Sequence, residues 1–283
     1  MQAQSVCEGS DNPSNLFLHQ RSKPKVDRRT QIMRSASIAL ATLVIWLPTI
    51  ADAAPVVFEA SGESPADIQA AVDDFRAFLG DNNGVGGSFP DGRREINWDA
   101  VPDAFSAPNN LPANFFNSNS PRGAVFFTPG TGFQLSADSD NPTNTAVKFG
   151  NIHPAFSSLF STFSPERLFS ALDSNVVETL FFVPGTTQSA TVDGFGSVFT
   201  DVNNVDSTKI EFFDVDGRLL FALDALAGPT KRGSLSFLGV GFDAGERVFL
   251  VRITSGNRVL KKPARDVVVM DDFIYGEPQP FSP

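Results

Sequence analysis

Lys209-Ile210-Glu211-Phe212-Phe213-Asp214-Val215-Asp216-Gly217-Arg218-Leu219-Leu220-Phe221 is the stretch on which the fold assignment turns. Its first five residues place Ile210 and Phe212 on one face and Lys209 and Glu211 on the other, the period of two of a half-buried strand. Asp216-Gly217 then separates two β-rich runs, a dipeptide that suits the positive φ angles of a type I′ turn. The segment is predicted to be an antiparallel hairpin.

The same pattern extends outward in both directions. Residues 123–128, 133–137, 145–149, 176–183, 189–192 and 197–202 read as strands before the hairpin, and 235–242, 247–254 and 266–275 after it. Gly194-Phe195-Gly196 predicts a bulge or bend. Residues 154–172 are ambiguous: Ser164-Pro165-Glu166 resembles a helix start, while Phe156, Phe160 and Phe163 fit irregular core. Strands do not alternate with helices, so a parallel α/β sheet does not fit. The turn spacing is that of sandwiches and barrels. The expected fold is mostly β: one antiparallel β-sandwich of jelly-roll type over residues 123–277, followed by a tail at 278–283.

Residues 54–122 are expected to flank that domain. Ser64 can cap a helix that starts at Pro65, and Asp67 suits its first turn. Ile68, Ala71, Val72, Phe75, Phe78 and Leu79 recur at helical spacing, and Gly80 ends the run. Residues 81–122 are rich in loops, with a short strand around Glu95-Ile96-Asn97-Trp98. They carry Trp98, Phe105, Leu111, Phe115 and Phe116, so they are predicted to wrap onto the core as an ordered flank and not to act as a linker.

Residues 1–53 are read as a leader. Arg28, Arg29 and Arg34 precede an uncharged stretch, residues 35–51, that is shorter than a spanning helix requires and is broken by Pro48. Ala51-Asp52-Ala53 completes a secretory signal of basic, apolar and small-x-small parts. Retention as an uncleaved anchor is the alternative. Residues 1–32 are polar, and Met33-Arg34 makes the more typical start of such a signal. The expected location is outside the cytoplasm: secreted, periplasmic or on the cell surface, with no membrane partner once the signal is cut.

Composition narrows the chemistry. The leader holds six of the 22 Lys and Arg and four of the 32 Asp and Glu, leaving 16 positive and 28 negative side chains, a net −12. Such a surface repels nucleic acid. The single cysteine, Cys7, lies in the leader, so the remainder has no thiol nucleophile and no Cys-ligated zinc. The remainder has one histidine, His153, no G-x-S-x-G elbow and no phosphate-binding loop. No catalytic residue is assigned, and the chain is expected not to be an enzyme.

Two stretches carry a resemblance. Gly194-Phe195-Gly196-Ser197-Val198-Phe199-Thr200-Asp201-Val202 and Asp266-Val267-Val268-Val269-Met270-Asp271-Asp272-Phe273-Ile274-Tyr275-Gly276 resemble motifs of uncharacterised secreted bacterial proteins. The second also resembles the last strand of lectin-like jelly rolls and carbohydrate-binding modules. The resemblance implies a fold more firmly than a function. It suggests an extracellular glycan or surface component as partner, and a structural calcium near the last strand.

Candidate residues follow. Trp98, with Asn97 and Asp99, is the expected glycan contact, because an indole offers a flat apolar face with a polar handle; a core role for Trp98 is the competing reading. Asp138 and Asp140 alternate as oxygen donors on a loop, and Asp271 and Asp272 lie on the last strand, which makes these four the candidate calcium ligands. Adjacent strand residues face opposite sides, so Asp271 and Asp272 cannot share one cleft without a bulge. The functional expectation is a non-catalytic, glycan-binding β-sandwich. A matrix protein without a small ligand and a carboxylate-dependent hydrolase are the alternatives.

Overall fold

A computed structural model describes residues 54–230, 232–263 and 266–281; the expected leader at residues 1–53 lies outside them. Among these residues the chain forms β1 (Val56–Gly62), α1 (Pro65–Leu79), β2 (Arg93–Ile96), α2 (Phe115–Ser118), β3 (Ala124–Phe127), β4 (Gly132–Leu135), β5 (Phe169–Leu172), β6 (Val176–Phe182), β7 (Ser189–Thr191), β8 (Gly194–Thr200), β9 (Lys209–Phe213), β10 (Leu219–Asp224), β11 (Leu235–Gly241), β12 (Leu250–Thr254), β13 (Val269–Gly276) and β14 (Gln279–Pro280). One sheet runs β1-β11-β8-β13-β5-β4, with β2 also on β13; the other runs β10-β9-β12-β6-β7-β14, with β3 also on β6. All strand pairs are antiparallel. The protein is mostly β, a sandwich-like pair of sheets, as the alternation predicts.

The core between the sheets is largely phenylalanine. Phe126, Phe169, Phe181, Phe195, Phe199, Phe212 and Phe273 are all fully buried there. Residues of β9 and β6 alternate between buried and half-buried. Those of β8, β11 and β13 are buried throughout, because their second face is covered as well. The cover over β8 and β11 is α1, whose Ile68, Val72, Phe75 and Leu79 pack on Val198, Leu235, Phe237 and Ile274. The backbone N–H of Ser64 donates to Asp67 Oδ2 at 2.9 Å, so the first-turn acid closes the helix start.

Gly194-Phe195-Gly196 is not a bend. It lies inside β8, in unbroken register with β11, where Gly194 faces Gly241 and Gly196 faces Gly239. A Cβ at Gly196 or Gly239 would lie 2.9 Å from the Phe75 ring. These glycines hollow the sheet beneath the helix, so their role is close approach of α1 and not a change of strand direction.

The hairpin forms with β9 and β10 at the predicted place, but its turn is not type I′. Only Gly217 has a positive φ, 74°, and its N–H donates to Asp214 O at 3.1 Å. That is a type I-like turn closed by a glycine bulge, which the three residues Val215, Asp216 and Gly217 allow. Residues 145–149 form no strand; Val147 makes an isolated bridge with Ala137. The flank enters the sandwich through β1 and β2, and Gln279 and Pro280 of the expected tail pair with Thr191 and Ala190. Among the described residues no helix is long and apolar enough to cross a membrane.

Candidate functional site

Trp98 stands just beyond β2, with φ at 69°. The ring is 1% exposed. It stacks on Phe169 at 4.4 Å and 9° and takes the edges of Phe273 at 5.0 Å and Phe116 at 5.5 Å. Its Nε1 donates to the carbonyl of Asp271 at 2.7 Å. A sugar platform needs an open aromatic face, and this one is closed by Phe169. Trp98 is therefore a core residue that ties the flank to β13, which corrects its expected role as the stacking surface.

Trp98 does mark a cavity. Trp98 and the exposed Asn97 border a space of about 300 Å³. Val101, Phe105, Phe115 and Phe116 form the apolar wall, and Asn97, Asn119, Ser120 and Arg122 supply polar groups. Phe105 is only half-buried and lies 5.1 Å from Phe115, so the aromatic surface at the mouth is Phe105. The Arg122 guanidinium sits 5.6 Å from the centre of the Phe116 ring and donates to Ser120 Oγ. Backbone bonds fix this corner: Arg122 N donates to Phe116 O at 2.7 Å, and Tyr275 Oη donates to Arg122 O at 3.1 Å. Burial lowers the pKa of the guanidinium from its ordinary value.

Asp99 is directed elsewhere. Its Oδ1 accepts the Arg167 N–H at 3.0 Å, and burial raises its carboxyl above the usual range. It borders a separate, polar cavity of about 240 Å³ with Asp138, Asp140, Glu166 and Arg167. Asp138 Oδ2 accepts from Arg167 Nη2, which also donates to Asp103 at 2.6 Å. The Asp138 carboxylate is thus engaged by a buried cation, and Asp140 is exposed.

Asp271 and Asp272 do meet. The register of β13 against β8 shifts between Met270 and Phe273, and this bulge is the exception that the facing rule requires. Ser164 Oγ lies 2.7 Å from Asp272 Oδ1 and 3.1 Å from Asp271 Oδ1, while Phe163 N donates to Asp271 Oδ2 at 2.7 Å. Burial and the neighbouring Asp272 charge hold the Asp271 carboxyl well above the ordinary carboxylate range. The pair fastens residues 163–164 to the last strand. Asp138 and Asp140 do not join it. Among the described residues no three of His, Cys, Asp and Glu gather as metal ligands.

His153 is half-buried, and its Nδ1 accepts from Ala155 N at 3.2 Å, capping a short 3₁₀ turn. Phe105, Asn119, Ser120 and Arg122 line the cavity but are not among the candidates that the sequence offers. The one available signal was local: the aromatic pair Phe115-Phe116 followed within a few residues by an amide- and hydroxyl-rich turn. No protein-family model matches the chain, and no curated protein sequence matches it.

Proposed function

We propose that this chain is an exported, non-catalytic β-sandwich protein that holds a glycan outside the cell, in the cavity beside Trp98. The observation that carries this reading is the lining: an aromatic wall that ends in the half-buried Phe105, facing amide and hydroxyl groups of Asn97, Asn119 and Ser120. A pyranose ring has the complementary character, with an apolar face and hydroxyls around its edge. The volume, about 300 Å³, is at the small end for ligand sites and suits one or two sugar units. Export rests on the signal-like segment at residues 28–53 and on the absence of thiols after Cys7.

Hydrolysis is not favoured. A glycosidase sets two carboxyl groups roughly 5–10 Å apart across a cleft. Here Asp271 and Asp272 converge on one serine hydroxyl, both are nearly fully buried, and neither lines the cavity beside Trp98. A glycan array probed with the secreted protein tests the proposal. Saturable binding to a defined set of glycans is expected. Sugar-independent retention at the producing cell's surface, with no array binding, would favour a matrix role and overturn it.

A further inference from the structure

We propose that the glycan taken by the cavity beside Trp98 is acidic, its carboxylate or sulfate ester paired with the Arg122 guanidinium; this rests on the glycan-binding reading of that cavity. Arg122 is anomalous among the arginines. Arg76, Arg93, Arg94, Arg167, Arg218, Arg247 and Arg252 each pair with a carboxylate. Among the described residues three arginines have no such partner, and two of them, Arg232 and Arg258, are exposed to water. Arg122 is the one that is partly buried and unpaired.

Its surroundings leave the charge open. Nη1 donates to Ser120 Oγ, the ring of Phe116 lies against the guanidinium, and Nε is buried without a hydrogen-bond partner. No acidic residue lines the cavity, although the chain after the leader has 28 acidic side chains against 16 basic ones. A positive site walled by aromatics in an acidic protein selects an anion and repels its own surface. The guanidinium fork matches a planar carboxylate in two parallel hydrogen bonds, and an aromatic neighbour holds the fork in position. Asn97, Asn119 and the Phe105 face are then left for the hydroxyls and the ring of the same sugar unit.

The test compares acid with neutral on the unaltered secreted protein. Calorimetric titrations would use trimers of galacturonate and glucuronate, their methyl esters, and a sulfated galactose trimer with its unsulfated parent. At least one acidic trimer is expected to bind about tenfold or more tightly than its neutral counterpart, and the uronate and sulfate arms show which anion is preferred. Arg122→Gln should erase that margin and Arg122→Lys should keep part of it. Both variants should melt with the native protein, because the bonds that fix this corner use the Arg122 backbone. Equal binding of acid and neutral sugars, unchanged in Arg122→Gln, overturns the inference and leaves the glycan reading standing. Failure of every sugar to bind overturns both.

Discussion

Arg94 and Glu277 meet fork to fork in the interior, Nε to Oε2 at 2.5 Å and Nη2 to Oε1 at 2.7 Å, with side chains 0% and 1% exposed. The remaining donors of Arg94 hold a glycine-rich loop: Nη1 donates to Gly84 O at 2.9 Å and Gly86 O at 2.8 Å, and Nη2 to Gly87 O at 3.1 Å. Glu277 also accepts from Asn83 Nδ2 at 2.9 Å. One buried pair thus closes the end of β13 and orders residues 83–87.

Removing Arg94 leaves the buried Glu277 carboxylate with no cation, only the Asn83 and Phe89 N–H donors. Arg94→Met is expected to cost about 3–5 kcal/mol of stability by urea denaturation. Adding Glu277→Leu should recover part of the loss but not all of it, since the loop carbonyls still lack donors. A loss below 1 kcal/mol in the single variant, on the scale of an exposed ion pair at about 0–1 kcal/mol, would contradict the buried role.

The Asp271 carboxyl keeps its proton to a higher pH in the folded chain than in the unfolded one. Its contribution to stability is therefore full at low pH and declines as pH rises through the folded value. Asp271→Asn preserves the carbonyl acceptor for Phe163 N and a donor toward Asp272, and carries no charge to titrate. Thermal midpoints followed from acidic to alkaline pH should fall with rising pH in the native protein and be flatter in the variant. A variant destabilised equally at every pH would show that Asp271 is ionised.

Asp201 gives a second, separate window. Burial, helped by the nearby Asp266, pushes its carboxyl from the usual 3.8 up to about 6, against the Gly233 N–H bond that favours the anion. Stability from this group is fully present below 3.8 and is lost as pH rises through about 6. Asp201→Asn retains an acceptor for Gly233 N, and asparagine tolerates the φ of 73°. The variant should come nearest the native midpoint near pH 3 and exceed it near pH 7, each roughly one pH unit outside that window. A native protein that is more stable than the variant at neutral pH would contradict the assignment.

Gly196→Ala tests the helix–sheet contact. The new Cβ would lie 2.9 Å from both the Phe75 ring and the Gly239 Cα, and β8 is flanked on both sides by paired strands. Overpacking of this kind costs about 1–3 kcal/mol. Alanine at Gly217 would act differently, because no atom lies within reach there and the penalty comes only from the positive φ. A neutral Gly196→Ala would mean that α1 does not sit on the glycine stripe.

The parts legible in the sequence are those with local causes. The β9–β10 hairpin and α1 follow from period, caps and turn residues within a short window. Gly194 and Gly196 look like strand breakers in isolation; their function depends on Gly239, Gly241 and Phe75, which belong to other elements. Arg94 and Glu277 are 183 residues apart, and nothing near either one announces the other. The facing rule allows Asp271 and Asp272 to meet only through a bulge, and whether one occurs depends on the register of β13 against β8, not on β13 alone.

Trp98 shows the same boundary at the site. Its place among the aromatics of residues 81–122 indicates that the flank packs on the sandwich; the cavity that Asn97 and Trp98 border comes from the tertiary arrangement. That its face is closed depends on Phe169, which lies in a segment with no clear pattern of its own. Asp99 is adjacent in sequence but serves the polar cavity with Arg167, because the backbone turns at Trp98.

The most direct test plugs the cavity from its rim. Ala100 is exposed and borders the space, so Ala100→Trp adds bulk at the mouth without entering the core. The strongest glycan-array ligand would be titrated against native and Ala100→Trp proteins of equal thermal midpoint. The plug should weaken binding by about tenfold or more. Unchanged affinity in the plugged protein would place the ligand elsewhere and contradict a glycan site beside Trp98.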